Sequence, residues 1–296
     1  MDEEVLNKYK RAGEIAKEAR KFGKGLIEPG NTYLDVVEGT ESKIRELGGR
    51  LGFPTNLSVN DAGAHDTADI NDRRKLEEGD IVKLDVGVHV DGYIADTAVT
   101  VSLLPEKEEM VEVANMALKN ALNEMRPGNK ILEVSEVIED TIRENEYNPI
   151  VNLTGHGLER YELHARTQIL NVRNQNNYVL KEGDVFAVEP FVTDGVGKVR
   201  EGGRTLIYMY SQDKSVRMRE GKKILNLAKE EYGGLPFSKR WLKEEISPLK
   251  INMALKQLTR KNALRGYPVL KEVGNGDIAQ AEHTVIVKEK PLVTTR

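Results

Sequence analysis

Three observations predict an α+β fold made of two related halves with a helical insertion. The first is a repeat. Pro29-Gly30-Asn31-Thr32-Tyr33-Leu34-Asp35-Val36 is echoed by Pro127-Gly128-Asn129-Lys130-Ile131-Leu132-Glu133-Val134, and Ile44-Arg45 and Ile142-Arg143 follow at the same spacing. Each copy is a Pro-Gly-Asn turn opening an amphipathic helix. The second is a pair of strands. Glu78-Gly79-Asp80 leads through Ile81-Val82-Lys83-Leu84 to Asp85, as Glu182-Gly183-Asp184 leads through Val185-Phe186-Ala187-Val188 to Glu189. A fainter echo sets Asn56-Leu57-Ser58 against Asn152-Leu153-Thr154. Three echoes in one order predict halves packed about a pseudo-twofold axis, with Asp85 and Glu189 facing one cleft.

The third observation is a shift in charge. Residues 212–266 hold fourteen Lys/Arg and six Asp/Glu, a balance of +8, which leaves −12 for the rest of a chain of net charge −4. Short helices are expected over 217–232, 238–246 and 251–264, broken at Gly233-Gly234-Leu235-Pro236 and Ser247-Pro248. Such a basic helical segment fits either a helix-turn-helix or winged-helix module for nucleic acid or a solvated cover. The second is the commoner arrangement.

Composition narrows the function classes. The 296 residues are 39 % hydrophobic and 31 % charged, a balance suited to a soluble globular protein. No apolar run reaches the ~18 residues of a membrane span. Met1-Asp2-Glu3-Glu4-Val5 lacks the basic start and apolar core of a signal peptide, which predicts a cytoplasmic protein. The absence of cysteine excludes disulfides, thiolate metal sites and a cysteine nucleophile.

The chemistry concentrates around one predicted hairpin. Asp85 and Asp96 flank an Asp91-Gly92 turn on strands rich in apolar residues, where they are expected to be cross-strand neighbours. Paired carboxylates in such a setting repel unless one is protonated or a cation lies between them. Glu189 and Glu282 also lie in apolar strands. Among the five histidines, His156 is flanked by glycines, His164 follows eight residues later, and His65 closes Asn60-Asp61-Ala62-Gly63-Ala64. His89, near the turn, is expected at the surface, and His283 on the sheet face opposite Glu282. Four carboxylates and an imidazole suit two hard or borderline divalent ions such as Mn²⁺, Fe²⁺, Co²⁺ or Zn²⁺. Two such ions sharing a water make hydrolysis the natural reaction class.

Asp85, Asp96, His156, Glu189 and Glu282 match, in order and setting, the metal ligands of the pita-bread metallopeptidases, and the resemblance covers nearly the whole chain. Within that family the sequence resembles the type II methionine aminopeptidases in Phe53-Pro54-Thr55-Asn56-Leu57-Ser58 through His65, in Gly155-His156 with His164, and in Ala279-Gln280-Ala281-Glu282-His283-Thr284. The helical insertion, at about 208–266 between catalytic segments 1–207 and 267–296, is typical of type II, and the short N-terminal region resembles the archaeal form. The resemblance implies removal of the initiator methionine from nascent chains when the second residue is small, by hydroxide held between two divalent ions. Asp85 would chelate one ion and His156 with Glu189 the other, with Asp96 and Glu282 bridging. Glu189 is then the expected proton shuttle, His164 the donor to the carbonyl oxygen, and His65 the group that positions the leaving side. His65 also matches the histidine that fumagillin-type epoxides alkylate. Phe53, Leu163, Ile207 and Tyr267 fall where the family lines its methionine pocket, and Asn56 stands where some eukaryotic relatives carry glycine. A monomer is implied, and the basic 212–266 segment suggests contact with the ribosome.

Two rival readings are kept. A prolidase or aminopeptidase P would use the same five ligands but usually has an extra N-terminal domain. A catalytically dead binding module would lose ligands that this chain retains. Gly195-Val196-Gly197-Lys198 lacks the third glycine of a dinucleotide fingerprint and the spacing of a P-loop, and is expected to be a hairpin.

Overall fold

The computed structural model describes residues 1–296, apart from the side chain of Arg166. Helices α1 (Glu3–Lys24) and α2 (Tyr33–Glu46) precede strands β1 (Arg50–Leu51), β2 (Asn56–Val59), β3 (Ala62–Ala64), β4 (Ile81–Val90) and β5 (Tyr93–Ser102). The second half repeats the plan. Helices α3 (Glu108–Glu124) and α4 (Ile131–Glu144) precede β6 (Asn148–Pro149), β7 (Thr154–Glu159), β8 (Glu162–Leu170), β9 (Val185–Val188) and β10 (Phe191–Thr193). The long β11 (Val199–Tyr210) leads out to α5 (Arg219–Asn226), β12 (Phe237–Ser238) and α6 (Pro248–Arg260). The chain returns through β13 (Leu264–Glu272), β14 (Ile278–Gln280), β15 (His283–Ile286) and β16 (Leu292–Val293).

Both Pro-Gly-Asn turns use one device. Gly30 and Gly128 each have φ +94°, a left-handed conformation that glycine enters without a Cβ penalty. Gly30 N then donates to Leu76 O at 2.8 Å, and Gly128 N to Leu180 O at 2.9 Å. Asn31 O and Asn129 O accept in return from Leu76 N and Leu180 N, each at 2.9 Å. The helices that follow, α2 and α4, are both fourteen residues long. The third echo does not carry through: Asn56 opens β2, whereas Asn152 sits in a turn and exchanges two hydrogen bonds with Val199.

Helices lie outside and strands inside. α1 and α2 cover one sheet through Ile15, Val36, Ile44, Leu84 and Val86, while α3 and α4 cover the other through Val113, Leu118, Ile138, Phe186 and Val188. At ~25 cal/mol per Å², this apolar burial is the dominant force holding each helix layer to its sheet. Every pairing between these strands is antiparallel. The halves are joined where β5 meets Glu282 and β15, through reciprocal Ala98–Glu282 backbone bonds of 3.3 Å. The result is a curled antiparallel sheet with helices on its convex side.

The basic segment builds an apolar cluster of its own from Ile224, Leu225, Phe237, Leu242, Ile251, Leu255 and Leu258. Its helices are shorter than the sequence suggests. β11 and β13 stay paired as far as Tyr210 opposite Leu264, so the chain leaves the sheet only over 211–263, and Leu264 is in a strand rather than a helix. Many of its cations are neutralised locally. Lys250 pairs with Glu220 and Lys229 with Asp213, whereas Arg240 reaches Glu41 at 2.8 Å and Lys239 reaches Asp69 at 2.9 Å in the first half.

Candidate metal centre and substrate cavity

The hairpin between β4 and β5 turns on Asp91 and Gly92, with φ +51° and +87°, the double left-handed turn that Asp-Gly favours. Its register sets Asp85 opposite Ala98 and Asp96 opposite Gly87. The two aspartates are therefore cross-strand neighbours on one face, as the sequence suggested, in a diagonal rather than a directly opposed register. Asp96 is fixed to the second half by Thr284, whose Oγ1 accepts from Asp96 N at 2.7 Å and donates to Asp96 O at 2.8 Å.

His156 comes from β7, opposite Ala187 of β9, and Glu189 lies just beyond β9. Gly155 allows this approach, since a Cβ there would sit 2.6 Å from Ala187 O. The imidazole Nδ1 of His156 lies 3.3 Å from Gly157 O, a carbonyl that can only accept, so Nδ1 holds the proton. Nε2 then turns a lone pair toward Glu189 Oε1 at 3.5 Å and Asp96 Oδ2 at 3.7 Å. Burial, reinforced by His164, brings the pKa of His156 down to about 3, so the ring is neutral. An unprotonated nitrogen facing two carboxylates calls for a proton or a cation between them.

The carboxylates report the same tension. Burial raises Asp85 to about 7. Burial also raises Asp96 well above the ordinary carboxylate range, followed by the charges of Asp85 and Glu189. Glu189 and Glu282 are raised likewise, by burial first and neighbouring carboxylates second. Asp85 Oδ1 and Asp96 Oδ1 are buried without a hydrogen-bond partner. Ligating atoms of Asp96, His156 and Glu282 lie within 4.8 Å of one another. Oxygen donors, one imidazole and orphaned acceptors fit hard or borderline divalent ions.

The five expected ligands line one cavity of about 350 Å³ together with His65, His164, Phe53, Leu163, Ile207 and Tyr267. Phe53 packs against Gly87, where a Cβ would overlap its ring. His65 has φ +63°, a left-handed conformation unusual for a histidine and of the kind found where function holds strain. Its Nδ1 donates to Pro268 O at 3.2 Å, leaving Nε2 as an acceptor in the neutral ring. His164 opens onto the cavity, edge-on to His156 with ring centroids 4.6 Å apart, and stacks on Tyr267 at 6.2 Å. Burial lowers both His65 and His164 to about 4, so each is a neutral imidazole near pH 7.

Other placements depart from the sequence reading. His89 is buried, not at the surface, because its Nδ1 accepts from Gly92 N at 3.0 Å and so ties off the hairpin. The Gly195–Lys198 segment is not a hairpin: β10 and β11 do not pair with each other. Glu272 fills that loop instead, accepting from Gly197 N and Gly276 N at 3.1 Å, where a phosphate would have to bind. His283 does face away from Glu282, bonding Thr295 Oγ1 at 2.8 Å. One participant was passed over: Gln280 Nε2 stands 3.4 Å from both Glu189 Oε2 and Glu282 Oε2. Its signal was the two-residue spacing from Glu282 in an extended segment. A larger cavity of about 730 Å³, between α2 and the basic segment, holds none of the clustered carboxylates.

The sequence pattern described as metallopeptidase family M24 matches residues 7–289. A methionine aminopeptidase of Thermococcus onnurineus is 49 % identical over 96 % of this chain and 97 % of its own length. One from Pyrococcus horikoshii is 47 % identical over 98 % of this chain and 99 % of its own. Two solved structures share the fold: a thermophilic Arx1, with TM-score 0.88 at 18 % identity over 99 % of this chain and 91 % of that one, and the Thermotoga maritima methionine aminopeptidase, with 0.74 at 23 % over 100 % and 98 %. With the buried acidic centre at its core and a match spanning nearly its full length, the chain belongs to metallopeptidase family M24.

Proposed function

We propose that the protein removes N-terminal methionine from peptides and nascent chains whose second residue is small. The observation that carries this reading is the lone pair of His156 Nε2 turned on Glu189 and Asp96 at the floor of an apolar cavity. Identity of 47–49 % to named methionine aminopeptidases supports the choice of substrate. Asp85, Asp96, His156, Glu189 and Glu282 would hold two divalent ions, Mn²⁺, Fe²⁺, Co²⁺ or Zn²⁺. Ions held there supply Lewis acidity and a water nucleophile at neutral pH.

The chain's own groups do the rest. Phe53, Leu163, Ile207 and Tyr267 enclose an unbranched thioether side chain. Glu189 takes the proton of the attacking water and returns it to the departing amine. The neutral His164 donates an N–H to the scissile carbonyl oxygen as charge develops there. His65 Nε2 accepts from the amide N–H of the leaving side, and Pro268 O fixes that tautomer. The segment 208–266 acts as an inserted unit on this catalytic body.

Among the described residues, no helix is long and apolar enough to cross a membrane. We further propose a cytoplasmic monomer whose exposed basic-segment cations, such as Arg217 and Lys222, touch ribosomal RNA. Ribosome binding should then weaken steeply with salt.

The experiment loads metal-free protein with each ion and supplies Met-Ala-Ser, Met-Leu-Ser and Ala-Pro-Ala. Free methionine from Met-Ala-Ser, with little from Met-Leu-Ser, is expected. Cleavage beside proline alone would transfer the protein to the prolidase branch, and no cleavage would leave a binding module.

A further inference from the structure

We infer that Arg265 makes the cavity rim a carboxylate-recognising subsite, so that substrates with negative charge a few residues downstream of the methionine are preferred. This rests on the aminopeptidase reading and deepens it. Among the described residues lining the cavity, Arg265 is the single Lys or Arg, set against Asp85, Asp96, Glu189 and Glu282 at the floor. It stands on β13 two residues before Tyr267, opposite Met209 while Tyr267 is opposite Ile207. Alternate strand residues share a face, so both side chains are directed to the cavity. The guanidinium rests 5.0 Å from the Tyr267 ring centre, a cation–π contact that leaves its N–H donors free. No carboxylate among the described residues lies in ion-pair range, and the side chain is exposed.

Distance sets which part of a substrate it meets. Tyr267 stacks on His164 at 6.2 Å, so Arg265 stands one ring beyond the group that faces the scissile carbonyl. Extended peptide covers ~3.3 Å per residue, so the second to fourth substrate residues pass beneath the guanidinium. Tyr267 also meets His65 edge-on with ring centroids 5.2 Å apart, so Arg265 stands one ring beyond the group on the leaving side as well. A peptide that puts its amino end at the acidic floor thus carries its next charge to a cation. The matching chemistry is a carboxylate, either an acidic side chain or the free C-terminus of a short peptide, and Arg offers it a two-pronged donor.

The test measures kcat/KM on metal-loaded wild type, Arg265→Lys, Arg265→Ala and Arg265→Glu with Met-Ala-Asp-amide, Met-Ala-Ser-amide and Met-Ala-Lys-amide, and with Met-Ala-Ser as the free acid. Wild type should favour Asp over Lys by roughly two- to fivefold, the range of a solvent-exposed ion pair. Arg265→Lys should keep much of that preference, Arg265→Ala should abolish it, and Arg265→Glu should reverse it. A preference confined to free acid over amide would assign the subsite to terminal carboxylates, and one confined to Asp over Lys to side chains. Ratios identical in all four proteins, with methionine released from every peptide, would overturn this inference alone. Release from none would overturn the aminopeptidase reading as well.

Discussion

His156 Nε2 and Glu189 Oε1 lie 3.5 Å apart, a neutral nitrogen whose proton is on the far side of the ring and a carboxylate oxygen that gains nothing from it. That contact is satisfied only when a proton or a cation lies between the two atoms, and it underlies the two tasks proposed for Glu189, one of charge and one of proton transfer.

Glu189→Gln keeps the shape of the side chain and removes both. Turnover of Met-Ala-Ser should fall by about 10³-fold, within the usual range for loss of a general acid–base group. Steady-state kinetics at saturating metal checks this, and a kcat near wild type would contradict the shuttle role.

For His164→Ala the loss should fall in kcat rather than KM, on the order of 10²-fold, because an N–H to the developing oxyanion matters most in the transition state. A raised KM with unchanged kcat would make His164 a positioning group only.

Gly87→Ala should disturb the substrate cavity chiefly through Phe53, the side chain nearest the new methyl. The new methyl would overlap the buried Phe53 ring, so the ring must move. We expect a loss of about 1–3 kcal/mol in denaturant unfolding, typical of overpacking, and a higher KM for Met-Ala-Ser. Unchanged values of both would mean Phe53 does not shape the cavity.

His89 predicts part of the acid sensitivity. Its Nδ1 must stay unprotonated to accept from Gly92 N, and burial lowers its pKa from 6.5 to about 4. The unfolded chain takes up this proton first as pH falls. Stability from this group is therefore intact above 6.5, declines between 6.5 and 4, and is lost below. His89→Asn, whose Oδ1 can accept the same bond, should unfold with a shallower loss across that window; matching slopes would contradict the assignment.

Much of this was legible from the chain because it depends on local chemistry. Asp91-Gly92 specifies its own turn, the two Pro-Gly-Asn copies specify matching helix starts, and carboxylates in apolar strands betray a cation. What was not legible depends on register and partners. The diagonal offset of Asp85 and Asp96 follows from which residues close the hairpin. His89 looked exposed because its partner is a backbone N–H three residues on. Lys83, in an apolar strand, gave no sign that it would be fully buried with Nζ donating to Asn60 O at 2.7 Å. Glu272 likewise fills the Gly195–Lys198 loop, bonding Gly197 from 75 residues away.

The most direct test of the account is calorimetric titration of the metal-free protein with Mn²⁺ in two buffers of different ionisation enthalpy. Two equivalents should bind wild type, with proton release at pH 7, because burial and mutual repulsion raise the proton affinity of Asp96, Glu189 and Glu282, so cations and protons compete for the same oxygens. His156→Ala should weaken or abolish one of the two. Absence of saturable binding, or binding that His156→Ala leaves unaltered, would contradict the metal centre on which the whole reading depends.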